Sequence, residues 1–231
     1  MNRDILLLGY AREGSTRVKD KMTRPFGNTT LFDLYMKKFH NIQVNDNPFK
    51  EITMAISESD KQLWKKAHTW DIPISKRSEY SAKASITDDC KMVYHYLDNF
   101  NEDYVMWVNG CFPFLKEETI LKAARYFQDN NLKGLHCVKR VYNWIWNPKT
   151  SNLYDRSNAF KISTVHFNPY LESVHCFHIY KRKHLLDNNS YWRFKFEDPH
   201  LYEIEDGVEF MDIDTQDEFD RCEWYYMNNY E

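Results

Sequence analysis

Two segments, almost two hundred residues apart in a chain of 231, carry side chains whose types and spacing could handle phosphate and a cation. Near the amino end, Ala11-Arg12-Glu13-Gly14-Ser15-Thr16-Arg17-Val18-Lys19-Asp20-Lys21 combines a glycine, hydroxyls and several cations. Glycine lets the backbone approach a ligand closely, backbone amides and the Ser15 hydroxyl can donate to phosphate oxygens, and Arg12, Arg17 and Lys21 can neutralise a polyanion. The G-x-x-x-x-G-K-[ST] spacing of a Walker loop is absent. By residue types alone, a solvated loop of mixed charge competes with a triphosphate cradle. Near the carboxyl end, Glu209-Phe210-Met211-Asp212-Ile213-Asp214-Thr215 sets two carboxylates two residues apart, and in extended chain both leave the same face. Such a pair suits one hard cation. Mg²⁺ prefers oxygen ligands, keeps several waters and is typically held by one or two carboxylates plus substrate phosphates. Thr215 to Glu218 also reads as a capping box, so the same stretch begins a helix.

The surrounding pattern says what must position these groups. Asp4 to Tyr10 contains an unbroken apolar run, as expected of a strand covered on both faces. Thr30 and Asp33 resemble a capping box, followed by Leu31, Leu34, Tyr35, Phe39 and Ile42 at helical spacing. Ile52 to Ile56 reads as a strand, with a helix begun near Ser57 behind it. A short strand at Ile72 to Ile74 precedes a helix with Ile86, Cys90, Val93, Tyr94 and Leu97 on one face; Tyr104 to Val108 and Leu135 to Val138 read as further strands, separated by a helical stripe through Phe127. This βα alternation implies a mostly parallel sheet, in which ligands bind at the carboxyl ends of the strands. From about Arg140 to Glu205 the chain becomes rich in aromatic, Asn and His residues, with alternating stretches at Phe160 to Val165 and Val174 to Tyr180, which reads as a β-rich lobe. A strand at Val208 to Ile213 and a closing helix complete the pattern. Glycine is scarce, and Gly9, Gly14 and Gly27 concentrate irregular backbone at the amino end.

At this point the motifs resemble those of the acylneuraminate cytidylyltransferase family. The first loop resembles that family's A-R-x-G-S-x-R-x-x-x-K-N stretch at Arg12, Gly14, Ser15, Arg17 and Lys21, with Met22 in place of Asn. D-I-D-T-Q-D-E-F resembles its D-I-D-T-P ending, with Gln216 in place of proline. The turn Val108-Asn109-Gly110-Cys111-Phe112-Pro113 looks like its L-Q-P-T-S-P turn, Asn109 standing where a glutamine reads cytosine; an amide that donates and accepts suits a base edge. Arg77 and Ser85-Ile86 resemble further nucleotide-contacting positions. His175-Cys176-Phe177 stands in place of N-G-A on a strand that lines the acceptor pocket in that family.

The resemblance implies a three-layer Rossmann-like nucleotidyltransferase fold with a mostly parallel central sheet and a β-rich insertion lobe. It covers one domain, with residues 140–205 as an acceptor-binding and dimerisation lobe. It implies transfer of CMP from CTP to an acidic sugar, with Arg12 and Lys21 stabilising charge on phosphate. Ala11, Gly14, Ser15, Arg17, Arg77, Ser85 and Asn109 would hold the nucleotide, His175 and Phe177 the acceptor, and Asp212 and Asp214 the Mg²⁺. A homodimer is implied as well. All of this depends on the two ends of the chain meeting at one pocket.

Composition narrows the alternatives. A net charge of -3 gives no global field for nucleic acid or anionic lipid, and the longest apolar run near the amino end is far too short to span a membrane. No secretory signal pattern is visible, so a cytoplasmic location is expected. Five widely spaced cysteines without a C-x-x-C pair read as reduced core thiols. His175 and His178 are three apart, and on a regular strand would face opposite sides, which argues against zinc. Two rival functions stand: a glycosyltransferase using Asp212-x-Asp214 as its metal motif, and a catalytically silent nucleotide-binding protein.

Overall fold

A computed structural model describes residues 3–84 and 89–230. Seven strands form one sheet in the order β3-β2-β1-β4-β6-β5-β7. They are β1 (Ile5–Tyr10), β2 (Glu51–Ser57), β3 (Ile74–Arg77), β4 (Tyr104–Val108), β5 (Leu135–Val141), β6 (Tyr170–Lys181) and β7 (His200–Glu203). All pairings are parallel except those of β6, which runs antiparallel to both β4 and β5. The helices are α1 (Leu31–Val44), α2 (Lys61–Ala67), α3 (Glu79–Lys83), α4 (Cys90–Val93), α5 (Glu117–Asp129), α6 (Arg182–Asn188) and α7 (Gln216–Asn229).

The apolar run of β1 explains the layering. Its side chains alternate, so Ile5 and Leu7 join Phe32, Tyr35, Ile120, Phe127 and Phe219 on one face, while Leu6 and Leu8 join Tyr96, Leu97, Leu185 and Trp192 on the other. Three layers result, with helices α1, α5 and α7 on the first face and the 90–99 segment and α6 on the second. Thr30 caps α1 by accepting the Asp33 N–H, its hydroxyl donating in turn to the Asp33 carboxylate, while at α7 the full capping box forms, the Thr215 hydroxyl and Glu218 carboxylate bonding reciprocally. No helix of the described residues is long and apolar enough to cross a membrane.

Three local expectations are corrected. Val208 to Ile213 has no strand partner among the described residues; it runs as turns and extended coil, tied instead by Ile213 N donating to Cys111 O. Phe160 to Val165 is likewise not a strand: Phe160, Ile162 and Val165 are exposed on a looped arm held by the Trp146–Leu153 bridge. Alternating apolar residues need a neighbouring strand, and none lies beside this stretch among the described residues. The helix expected through Ile86 to Leu97 is split into α4 and a 3-10 turn at His95–Asn99, and Ile86 lies outside the described residues. The Val174 to Tyr180 stretch does form a strand, but it sits inside the central sheet between β4 and β5.

Candidate active site

The carboxyl ends of β1, β3 and β4 deliver Tyr10, Arg77 and the Asn109–Gly110 turn to one edge of the sheet. Because β6 runs the opposite way, its amino-terminal half reaches that same edge, where Phe177 pairs with Val108. Together with the loop after β1 and the Asp212–Asp214 segment, these elements enclose a cavity of about 530 Å³, the usual scale of a small-molecule site.

The loop is held from below. Glu13 N donates to Asp60 Oδ1 at 3.1 Å, while the Glu13 carboxylate accepts the Gln62 and Leu63 N–H groups at the start of α2. Arg12 Nη1 reaches Ala82 O at 3.3 Å. The far end of the loop is tied to the carboxyl segment. Lys21, buried, donates to Ile213 O at 2.6 Å and lies 3.6 Å from Asp214 Oδ1, and Arg17 Nη1 meets Asp214 Oδ2 at 2.8 Å. Charge-assisted bonds of this kind fix geometry as well as supply energy. The cationic loop and the carboxylate pair, 197 residues apart at the Arg17–Asp214 contact, therefore meet at one cavity wall.

Among the described residues Asp212 receives only a local bond, from Ile213 N at 2.7 Å. Burial first, and then the Asp214 carboxylate, push it up to about 6, against the pull of Lys21. Two hard oxygen donors held close together, one of them poorly solvated, are a donor set that a divalent cation would relieve, so the pair fits Mg²⁺.

Of the residues singled out by sequence, Ala11, Arg12, Ser15, Arg17, Lys21, Arg77, Asn109, His175, Asp212 and Asp214 line the cavity. Two described ones are not on that wall. Gly14 sits on the loop beside it, and a Cβ there would meet nothing within 4 Å. Phe177 is fully buried on the core side, near Tyr202, because it falls on the inward phase of β6. Ser85 lies outside the described residues. Asn109 is partly committed: its Nδ2 donates to His175 O at 3.1 Å and its Oδ1 accepts Cys111 N at 3.0 Å, leaving one N–H and one lone pair.

An aromatic wall went unread in the sequence. Tyr10 stacks on Trp107 at 5.2 Å between centroids, Arg77 lies 5.3 Å over the Tyr10 ring, and Tyr94 and Tyr96 complete that side. Arg77 is buried, donates Nη2 to Ser81 O at 2.7 Å, and leaves Nε without a hydrogen-bond partner among the described residues. The signal was present, since Tyr10 and Trp107 end strands already recognised, but side chains on such strands are core by default.

The fold is shared with solved structures at low identity. One is CMP:2-keto-3-deoxy-manno-octonic acid synthetase complexed with CTP, 11% identical, covering 97% of this chain and 99% of that one at a TM-score of 0.68. Another is 4-diphosphocytidyl-2C-methyl-D-erythritol synthase from Anaerococcus prevotii, 13% identical over 98% and 100% of the two chains at a TM-score of 0.65. A cytidylyltransferase from Leptospira borgpetersenii is 14% identical over 100% and 89%, at a TM-score of 0.56. No curated protein matches the sequence. The family model described as cytidylyltransferase matches residues 8–223, a span that takes in both the loop after β1 and the Asp212–Asp214 pair. On that match the chain belongs to the cytidylyltransferase family and is a CTP-dependent nucleotidyltransferase.

Proposed function

We propose that the protein transfers CMP from CTP to an acidic sugar of the nonulosonic or octulosonic class, releasing pyrophosphate. The observation that carries this reading is the meeting of Arg17 and Lys21 with Asp214 on one cavity wall. A polyphosphate there would find cations on one side and a metal-binding carboxylate pair on the other. The octonic-acid synthetase with the same fold supports an acidic sugar as acceptor.

In this reading Ser15 and Arg17 hold the triphosphate, with Gly14 letting the loop backbone come close. Arg12 and Lys21 stabilise charge that develops on the phosphate, an effect worth about 10²- to 10³-fold in rate per preorganised donor. Asp212 and Asp214 would hold Mg²⁺, which when bound would supply charge neutralisation at the α-phosphate. Arg77, Asn109 and Ala11 face the nucleoside, and His175 faces the acceptor. The protein contributes chiefly positioning and charge. The exposed Phe160, Ile162 and Val165 of the looped arm support self-association as a homodimer, which sedimentation of the full chain tests.

The decisive experiment is a pyrophosphate-release screen of the four nucleoside triphosphates with Mg²⁺ against acidic sugars and sugar-alcohol phosphates. CTP with an acidic sugar is the pair expected to react. Release only with a sugar-alcohol phosphate would reassign the acceptor. No release with any triphosphate, combined with turnover of a nucleotide sugar, would overturn the reading in favour of a glycosyltransferase.

A further inference from the structure

The transfer needs somewhere to put a proton. As the acceptor hydroxyl attacks the α-phosphorus, a new P–O bond forms and the bond to the bridging oxygen of the β-phosphate breaks. Pyrophosphate leaves with that electron pair, and the hydroxyl proton must pass to a base. On the reading of the preceding subsection, on which this inference rests, the base faces the cavity. Arginine and lysine there are cations. Burial pushes the Cys111 thiol and the Tyr96 phenol up, away from the range of a useful base. Asp212 and Asp214 are the hard donors a cation would occupy. Among the described cavity-lining residues His175 carries the one imidazole, and imidazole is the commonest general base.

Its placement depends on a bulge. Along a regular strand His175 and His178 would face opposite sides. Instead, His136 of β5 pairs with His178 while Val138 pairs with Ser173, so two steps along β5 match five along β6. The His175 ring accordingly stands 5.6 Å from that of His178 and 5.5 Å from that of His136. The expectation that these side chains diverge is thus corrected. Behind His175, the other two are buried and joined Nδ1 to Nδ1 at 3.1 Å, and burial above all holds both below the ordinary imidazole range. They stay neutral, so no cation stands behind the His175 ring. It shares the cavity lining with Asp212 and Asp214 and with Arg12, Arg17, Lys21 and Arg77. Its backbone is fixed independently of its ring, because His175 O and Cys176 O both accept from Asn109.

We propose that His175 is the general base of the transfer, taking the acceptor hydroxyl proton as that oxygen attacks the α-phosphorus. Pyrophosphate release by the full chain, with CTP, Mg²⁺ and either 2-keto-3-deoxy-manno-octonic acid or N-acetylneuraminic acid, tests it in wild type, H175Q and H175A from acid to alkaline pH. CTP affinity is followed separately by calorimetry. The expected kcat loss in both variants is about 10²-fold or more with CTP affinity nearly unchanged. Free imidazole should restore part of the H175A rate, and the acid limb of the wild-type pH profile should change shape in H175Q. Variants with near-wild-type kcat, or a loss confined to the acceptor KM with the pH profile intact, would overturn the base while the transfer stands. A wild-type protein that releases no pyrophosphate with either acid would overturn the transfer and the base together.

Discussion

Replacing Asp212 by Asn should make the protein more stable and less active at once. In the folded chain the Asp212 carboxyl is pushed from 3.8 up to about 6 by burial and by Asp214. Folded protein thus binds this proton more tightly than unfolded chain. The contribution favours the fold below about pH 4 and is lost as pH rises to about 6, leaving a penalty at neutral pH of up to roughly 3 kcal/mol. Asn keeps the oxygen that accepts the Ile213 N–H and carries no charge. Its advantage should be nearly absent at pH 4 and complete above about pH 6.5, raising Tm by several degrees for a chain of this size. Thermal melts of both proteins across that range measure it, and the same samples, assayed with CTP and Mg²⁺, should show turnover down by about 10²-fold or more. Adding Mg²⁺ should raise the wild-type Tm and leave the variant unmoved. A variant that melts at or below wild type at pH 7.5, or with the same advantage at pH 4 as at pH 7.5, would refute the account of the pair.

The other predictions concern the supports of the same cavity. K21M leaves Ile213 O without its buried donor and should cost roughly 2 kcal/mol by urea titration; R17Q, which removes a pair 65% exposed on the arginine side, should cost about 0.5 kcal/mol or less. Equal costs would mean that the loop is not anchored through Lys21. G110A would bring a Cβ within 2.6 Å of the Tyr35 ring, whose hydroxyl holds Val108 O, and should destabilise by about 1–3 kcal/mol. G14A meets nothing, so its Tm should match wild type while CTP affinity falls; unchanged affinity would remove the loop backbone from the phosphate site. Burial lowers His136 to about 4, so the unfolded chain binds this proton more readily and wild-type stability should fall as pH drops from about 6.5 toward 4. H136Q should flatten that fall in urea midpoint, and identical slopes in the two proteins would exclude His136 as its source.

Much of this arrangement was written in local pattern. The all-apolar run of β1 announced a strand covered on both sides, the helical stripe of Leu31 to Ile42 announced α1, and the helix caps formed where Thr30 and Thr215 stand. Each of these signals depends on neighbours within a turn or two, which is the range over which periodicity reports. The loop and the D-I-D-T stretch were legible for the same reason: chemistry concentrated in a few consecutive residues. The Val208 to Ile213 and Phe160 to Val165 stretches failed because alternation describes a face, and a face becomes a strand only when another strand lies beside it.

By itself, then, the sequence determined the alternating elements, the cationic loop and the carboxylate pair, and the residue types each could offer. Tertiary structure decided which of them meet. Only the folded sheet brings Arg17 to Asp214, inserts β6 against the grain between β4 and β5, and turns His175 toward its cavity through a bulge. It also gathers Tyr10, Tyr94, Tyr96 and Trp107 into one wall. These contacts join residues far apart in the chain, and their formation rests on the burial of whole faces rather than on any spacing, so no local pattern could carry them.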